Sequence, residues 1–171
     1  MSDLTSRLDA VHLHASAPAG GVHAELRGDS EITLYLSTGY YTEATESELG
    51  RRLEQLGKLL WAERIRAYRR LAEQPGSGVL LIDPDPHLSR EDARFVVERG
   101  RLVATGASPD GHVTIEVRGM SDWKVTVRPG SLRVLDEDTF TRAVEIAAAR
   151  MIEDQFMKNL QLKAQAYGEP A

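Results

Sequence analysis

Seven basic side chains crowd into residues 50–72 and are the strongest candidates for binding chemistry. Only Glu54 and Glu63 oppose them, so the segment carries +5 (seven minus two) in a chain whose total charge is -5. Such a run can contact nucleic-acid phosphates, and Trp61 and Tyr68 can stack on unpaired bases. The alternative is a solvated helix face that complements the helix dipole. The seven residues are Arg51, Arg52, Lys58, Arg64, Arg66, Arg69 and Arg70.

Four basic residues of the second half are candidates to extend this nucleic-acid site, namely Arg118, Lys124, Arg128 and Arg133. Arg118, Lys124 and Arg128 alternate onto the polar face of predicted strands. Glu116 and Asp122 lie among them, so cross-strand ion pairing is an equally good interpretation.

Three histidines near the N-terminus suggest a different chemistry. If residues 17–20 form a four-residue hairpin loop, His14 lies opposite His23 and His12 lies opposite Glu25, all on one sheet face. Imidazole and carboxylate groups are ligands for zinc-like ions. Incidental histidines on a half-exposed sheet explain the pattern as well. We therefore expect no metal or other cofactor, with His12, His14 and His23 as the only candidates.

The sequence contains none of the familiar catalytic patterns. It has no glycine-rich phosphate loop, no HExxH and no GxSxG, and the absence of cysteine excludes thiol nucleophiles and disulfides. Asp83 and Asp85 are close together, but each precedes a proline, which favours a rigid turn. We therefore expect a protein that is not an enzyme.

The elements that position these residues occur twice. Shifting the chain by 91 residues places residues 25–28 (ELRG) on residues 116–119 (EVRG), Gly39 on Gly130 and Glu54 on Glu145. Apolar positions coincide at the same shift. Similarity at one fixed spacing is typical of repeated units, so we predict a duplicated chain.

Each half is predicted to contain three strands followed by a long helix. The apolar–polar alternation puts one face of each sheet in the core. The predicted strands are residues 10–16, 21–27 and 31–37 in the first half and 102–107, 112–118 and 122–128 in the second.

Capping signals mark where the helices begin. Residues 45–48 (TESE) resemble a capping box, and Asp136 holds the equivalent position in the second half. Each long helix spans roughly 30 residues and hence about 45 Å, more than a three-stranded sheet needs. We therefore expect the surplus length to pack on the other half or on a second molecule.

The predicted fold is α+β, with two tandem units that form an intramolecular pseudo-dimer. The first unit covers residues 1–74 and the second covers residues 89–171. A Gly- and Pro-rich connector at 75–88 joins them, and its apolar residues 79–82 are expected to dock. Ser89 is the predicted cap of a short helix that continues to about Arg99.

Composition limits the class of protein. With 171 residues, 42% of them hydrophobic and 27% charged, the chain is too apolar for a disordered protein. No stretch approaches the roughly 20 apolar residues of a membrane span, and the first residues do not resemble a signal peptide. We expect a soluble cytoplasmic protein with no membrane partner.

The second half resembles the YbaB/EbfC family. The resemblance comes from a glycine turn, the strand at residues 112–119, the strand at 123–127, an extended segment at 128–132 and a long amphipathic helix. It covers about residues 101–167, and more faintly 11–73. It implies a small DNA-binding, nucleoid-associated protein of a family that forms homodimers, here with both halves in one chain.

The sequence departs from the family before each first strand, where family members carry a long, charge-rich helix. Only residues 2–9 and 89–99 occupy those places here.

Actinobacterial relatives also occur beside secretion systems, so the alternative function is a protein-interaction adaptor or chaperone-like module. Its candidate surface, through which the chain would bind a protein or itself, is Met151, Phe156, Met157 and Leu160. The favoured alternative is that these residues belong to the core or to the seam of the pseudo-dimer.

Overall fold

The computed structural model describes residues 10–73 and 89–168. Within these residues, two three-stranded antiparallel sheets combine with long helices, which confirms the α+β prediction. The predicted connector at 75–88, including its apolar segment 79–82, lies outside the described residues. No described helix has the length and apolar character that a membrane span requires.

The first half consists of β1 (His12–Ser16), β2 (Val22–Arg27), β3 (Glu31–Leu36), α1 (Tyr40–Glu43) and α2 (Glu46–Ala72). Its strands pair in the order β1-β2-β3. The second half repeats this order of elements after one additional helix, and its strands pair as β4-β5-β6. Its elements are α3 (Arg90–Arg101), β4 (Val103–Ala107), β5 (Val113–Arg118), β6 (Asp122–Val127), α4 (Ser131–Val134) and α5 (Glu137–Tyr167).

The predicted caps begin the three longer helices. Thr45 Oγ1 accepts from Glu48 N at 3.2 Å, and Asp136 Oδ1 accepts from Thr139 N at 2.7 Å. Ser89 forms a complete capping box with Asp92. These side chains satisfy backbone N–H groups that the first turn of a helix leaves unpaired.

The first hairpin turns one residue later than the sequence predicted. Ala17 N bonds to Val22 O at 2.9 Å, so the loop comprises residues 18–21. Gly20 and Gly21 have φ values of 77° and 82°, which place Gly21 in the turn and not in the strand. His14 therefore pairs with Glu25, and the predicted pairing of His14 with His23 is wrong.

The segment at 128–132 was expected to be extended, but it contains the beginning of α4. Gly130, with φ of 87°, precedes that single helical turn, and Gly39, with φ of 80°, precedes α1 in the same way. Both glycines adopt the left-handed conformation that favours glycine. The two residues are equivalent at the 91-residue spacing, so both halves redirect the chain by the same means.

The core lies between the inner faces of the two sheets and the long helices. Val22, Leu49, Val113 and Phe140 are fully buried within it. Helix α2 packs on β1 and β2 of its own half and also on β6, while α5 packs on β4 and β5 and also on β3. Each long helix therefore contacts both sheets.

Two reciprocal hydrogen bonds join the halves. Glu145 Oε1 accepts from Leu34 N at 3.0 Å, and Glu54 Oε1 accepts from Val125 N at 3.0 Å. Both the acceptors and the donors are related by the 91-residue spacing of the sequence. The bonds satisfy N–H groups on β3 and β6, which are edge strands of their sheets.

Charged side chains of α5 cover the free edge of β4. Arg150 donates to Ala107 O at 2.8 Å, Asp154 accepts from Thr105 N at 2.8 Å, and Lys158 donates to Val103 O at 2.9 Å. Burial raises the pKa of Asp154, but the hydrogen bonds from Lys158 and Thr105 outweigh it, so the pKa lies below its usual value. Arg150, Asp154 and Lys158 are four residues apart and so lie on one face of α5. Their side chains bond to the backbone groups of β4 that a fourth strand would otherwise pair with.

Candidate functional site

Five of the predicted basic residues lie exposed along the outer face of α2. We call Arg51, Lys58, Arg66, Arg69 and Arg70 the basic stripe. They share a sector of about 120° around the helix axis and extend over about 28 Å of its length. The opposite side of α2 carries the buried leucines 49, 53, 56 and 60, so core packing fixes which face is exposed.

Arg52 is held in contacts within the protein and is not part of the basic stripe. Its guanidinium group bonds to Glu48 Oε1 at 2.8 Å and to Gly20 O at 2.8 Å, and it lies over the Tyr40 ring. Only 18% of its side chain is exposed. Arg52 therefore ties α2 to the first hairpin.

Arg64 plays a similar part further along α2. It bonds to Asp29 O at 2.7 Å and Asp29 Oδ1 at 3.1 Å, and it contacts the rings of Trp61 and Tyr68. Its side chain is 15% exposed. The aromatic residues that the sequence offered for base stacking are therefore half-buried against Arg64.

The outer face of the second sheet, where the sequence predicted an extension of the nucleic-acid site, has a lower positive charge than its basic residues alone would give. Arg118, Lys124 and Arg128 are exposed on the outer face. The strand register places Arg118 opposite Asp122 and Lys124 opposite Glu116. Neighbouring carboxylates reduce the net charge of this face. The basic stripe on α2 is the stronger candidate.

A cluster of His12, His14 and Glu25 lies on the outer face of the first sheet. His12 Nε2 is 3.1 Å from Glu25 Oε2, and His14 Nδ1 is 3.4 Å from Glu25 Oε1. The hydrogen bond from His12 is the largest influence on the pKa of Glu25, which lies below its usual value despite desolvation. We call these three residues the histidine cluster.

His23 lies on the same face but is not part of the histidine cluster. Its Nδ1 is 2.8 Å from Ser16 Oγ and its Nε2 is 3.1 Å from Ser37 Oγ. The expectation that it faces His14 depended on the wrong register. The paired glycines at 20 and 21 were the signal in the sequence that could have corrected it.

An exposed apolar patch lies on the second half of α5. Phe156, Met157 and Leu160 are 59%, 50% and 48% exposed, and helical spacing brings them to one side. Met151, which the sequence grouped with them, is 2% exposed and belongs to the core. The apolar patch therefore consists of three residues.

Comparisons with protein-family models, curated proteins and solved structures found no match to this chain.

Proposed function

We propose that this protein is a non-enzymatic DNA-binding protein of the nucleoid-associated kind that its YbaB/EbfC resemblance implies. The observation that carries the proposal is the basic stripe, which presents five exposed cations on one face of α2 in a chain of net charge -5. Duplex DNA carries one phosphate charge per roughly 1.7 Å of axis, so a stripe of about 28 Å faces many phosphates.

The proposal includes two copies of one unit that form a pseudo-dimer within the chain. The common order of elements and the reciprocal bonds of Glu54 and Glu145 support it. Where the family uses two chains, this protein uses two halves. They are unequal in charge: α2 carries +3 (seven basic minus four acidic) and α5 carries -1 (four minus five), so one half provides the DNA contact.

Binding by the basic stripe is electrostatic and independent of base sequence. Arg and Lys side chains pair with phosphate oxygens and release condensed counterions. Affinity therefore falls steeply as the salt concentration rises. No base-reading or catalytic role is needed from any other side chain.

Charge reversal at the end of α2 tests the proposal. The triple variant Arg66→Glu/Arg69→Glu/Arg70→Glu should bind duplex DNA at least about tenfold more weakly, because it removes three phosphate contacts. The slope of log affinity against log salt concentration should also become shallower by about 2.7 units, at roughly 0.9 per phosphate contact. Fluorescence anisotropy with a labelled duplex at several salt concentrations measures both quantities.

A matched control separates the site from the total charge. Arg94→Glu/Arg142→Glu/Lys163→Glu changes the net charge equally at exposed residues outside the basic stripe. It should weaken binding much less than the stripe variant. Equal losses in the two variants, or no binding by the wild type at low salt, would contradict the proposal.

The apolar patch favours a second candidate function, which is protein interaction through α5. Three neighbouring apolar side chains about half exposed are unusual for a surface without a partner. The variant Phe156→Ser/Met157→Ser/Leu160→Ser should dissociate a self-associated chain while leaving the fold intact. Sedimentation at low and at high salt measures the mass of the chain in solution. Apolar self-association should persist at high salt, whereas electrostatic DNA binding is lost there.

The control for the patch replaces three exposed apolar residues elsewhere. Tyr35→Ser/Leu59→Ser/Val134→Ser removes side chains that are 47%, 39% and 69% exposed. It should leave the solution mass unchanged. A wild-type chain that is monomeric at high protein concentration would rule out self-association through the patch.

A further inference from the structure

The histidine cluster has a geometry that DNA binding does not explain. His12 and His14 are two residues apart on β1 and so point to the same side of the sheet, and Glu25 pairs with His14 across β2. Backbone pairing therefore brings all three side chains together. Among the described residues, this is the one group of three or more possible ligands whose donor atoms converge, all within 4.8 Å of one another.

These distances approach those of ligands around one metal ion. Zinc bonds of about 2.0–2.1 Å in a tetrahedral site place neighbouring ligand atoms roughly 3.3 Å apart. The two imidazole nitrogens already lie 3.1 and 3.4 Å from the Glu25 carboxylate oxygens. The histidine rings, with centroids 4.4 Å apart, need only small side-chain rotations to share an ion.

We infer that His12, His14 and Glu25 form a binding site for a divalent transition metal of the zinc type. Two imidazoles and one carboxylate are a ligand set that such ions prefer, and they leave a fourth position open. A shallow groove lined by His14, His23, Glu25 and Tyr35 adjoins the site. It provides space for water or for a further ligand.

Arg27 is the group that competes with the metal. Its guanidinium lies 3.5 Å from Glu25 Oε2, but 58% of the side chain is exposed, so it can turn into solvent. The exposure of the site and this competing cation both weaken metal binding, so we expect micromolar affinity or weaker. Bound metal would join β1 to β2 and so fix an edge strand of the first sheet.

The second half provides an internal comparison. At the 91-residue spacing, Val103 and Thr105 replace the two histidines, although Thr105 pairs with Glu116 as His14 pairs with Glu25. The backbone arrangement is the same and the imidazoles are missing. We therefore expect one metal ion per chain.

Calorimetric titration of the untagged full chain with zinc chloride at about pH 7.5 tests the site. The wild type should bind one equivalent with micromolar affinity. His12→Gln/His14→Gln and, separately, Glu25→Gln should each bind at least about tenfold more weakly. The control His112→Gln removes a histidine outside the histidine cluster and its groove and should bind like the wild type.

Thermal unfolding provides an independent readout. Excess zinc should raise the Tm of the wild type and of the control, but not that of His12→Gln/His14→Gln, since only the folded chain presents the three ligands together. Without zinc, His12→Gln/His14→Gln should melt at the same temperature as the wild type, because the His12 and His14 side chains are both exposed. Zinc binding that survives in His12→Gln/His14→Gln, or that is absent from the wild type at millimolar zinc, would overturn the inference.

Discussion

Replacing Gly106 with alanine is expected to destabilise the protein by about 3 kcal/mol or more. A Cβ atom at this position in β4 would collide with Ala147 O and Met151 N of α5 and would lie 2.9 Å from Met151 Cβ. Two of these three atoms are backbone, so no side-chain rotation relieves the collision. The helix would have to move away from the sheet and open the core around Met151.

Gly100→Ala is the matched control for this prediction. Gly100 lies in α3, and a Cβ built there meets nothing within 4 Å. Alanine should stabilise the helix slightly, by about 0.5–1 kcal/mol. Urea unfolding of both variants measures the contrast. A Gly106→Ala variant as stable as the wild type would show that β4 and α5 are not packed as closely as described.

Local patterns in the sequence were sufficient to predict the six strands and the three longer helices, but not the single-turn helices α1 and α4. The alternation in residues 31–37 and 122–128 predicted β3 and β6, and the caps at Thr45, Ser89 and Asp136 marked the helix starts. These signals depend on neighbouring residues only. They are visible without any knowledge of how the elements pack.

Features that depend on packing were not visible in this way. The role of Gly106 depends on how close α5 lies to β4, and the loss of Arg52 and Arg64 from the basic stripe depends on Gly20 O and Asp29. No local pattern distinguishes an arginine that reaches a distant carbonyl from one that reaches solvent. The sequence therefore overestimated the number of cations available to a ligand.

The charged residues of the two long helices are placed differently. Arg150, Asp154 and Lys158 satisfy backbone groups on the β4 edge, so their charges are used within the fold. The five side chains of the basic stripe on α2 are exposed, and Arg66 pairs with Glu63 of the same helix. This difference is why the proposed DNA contact is assigned to α2 and not to α5.

Removing both carboxylates that join the halves is the second change with a large expected effect. Glu54→Ala and Glu145→Ala should each cost about 1–3 kcal/mol, because each leaves a partly buried N–H, on Val125 or Leu34, without an acceptor. If the two bonds are independent, the double variant should lose the sum of the two costs. Urea unfolding of the single and double variants measures these free energies.

The substitutions Glu54→Gln and Glu145→Gln separate the hydrogen bond from the charge. Glutamine keeps a carbonyl oxygen at the end of a side chain of the same length, so it can still accept from the edge-strand N–H. Each should therefore cost less than half as much as the corresponding alanine. If glutamine and alanine prove equally costly, the negative charge is what matters at these positions, and the reciprocal bonds do not hold the halves together. If the pseudo-dimer is symmetric, the costs at Glu54 and Glu145 should also be nearly equal, since each acceptor meets the equivalent strand.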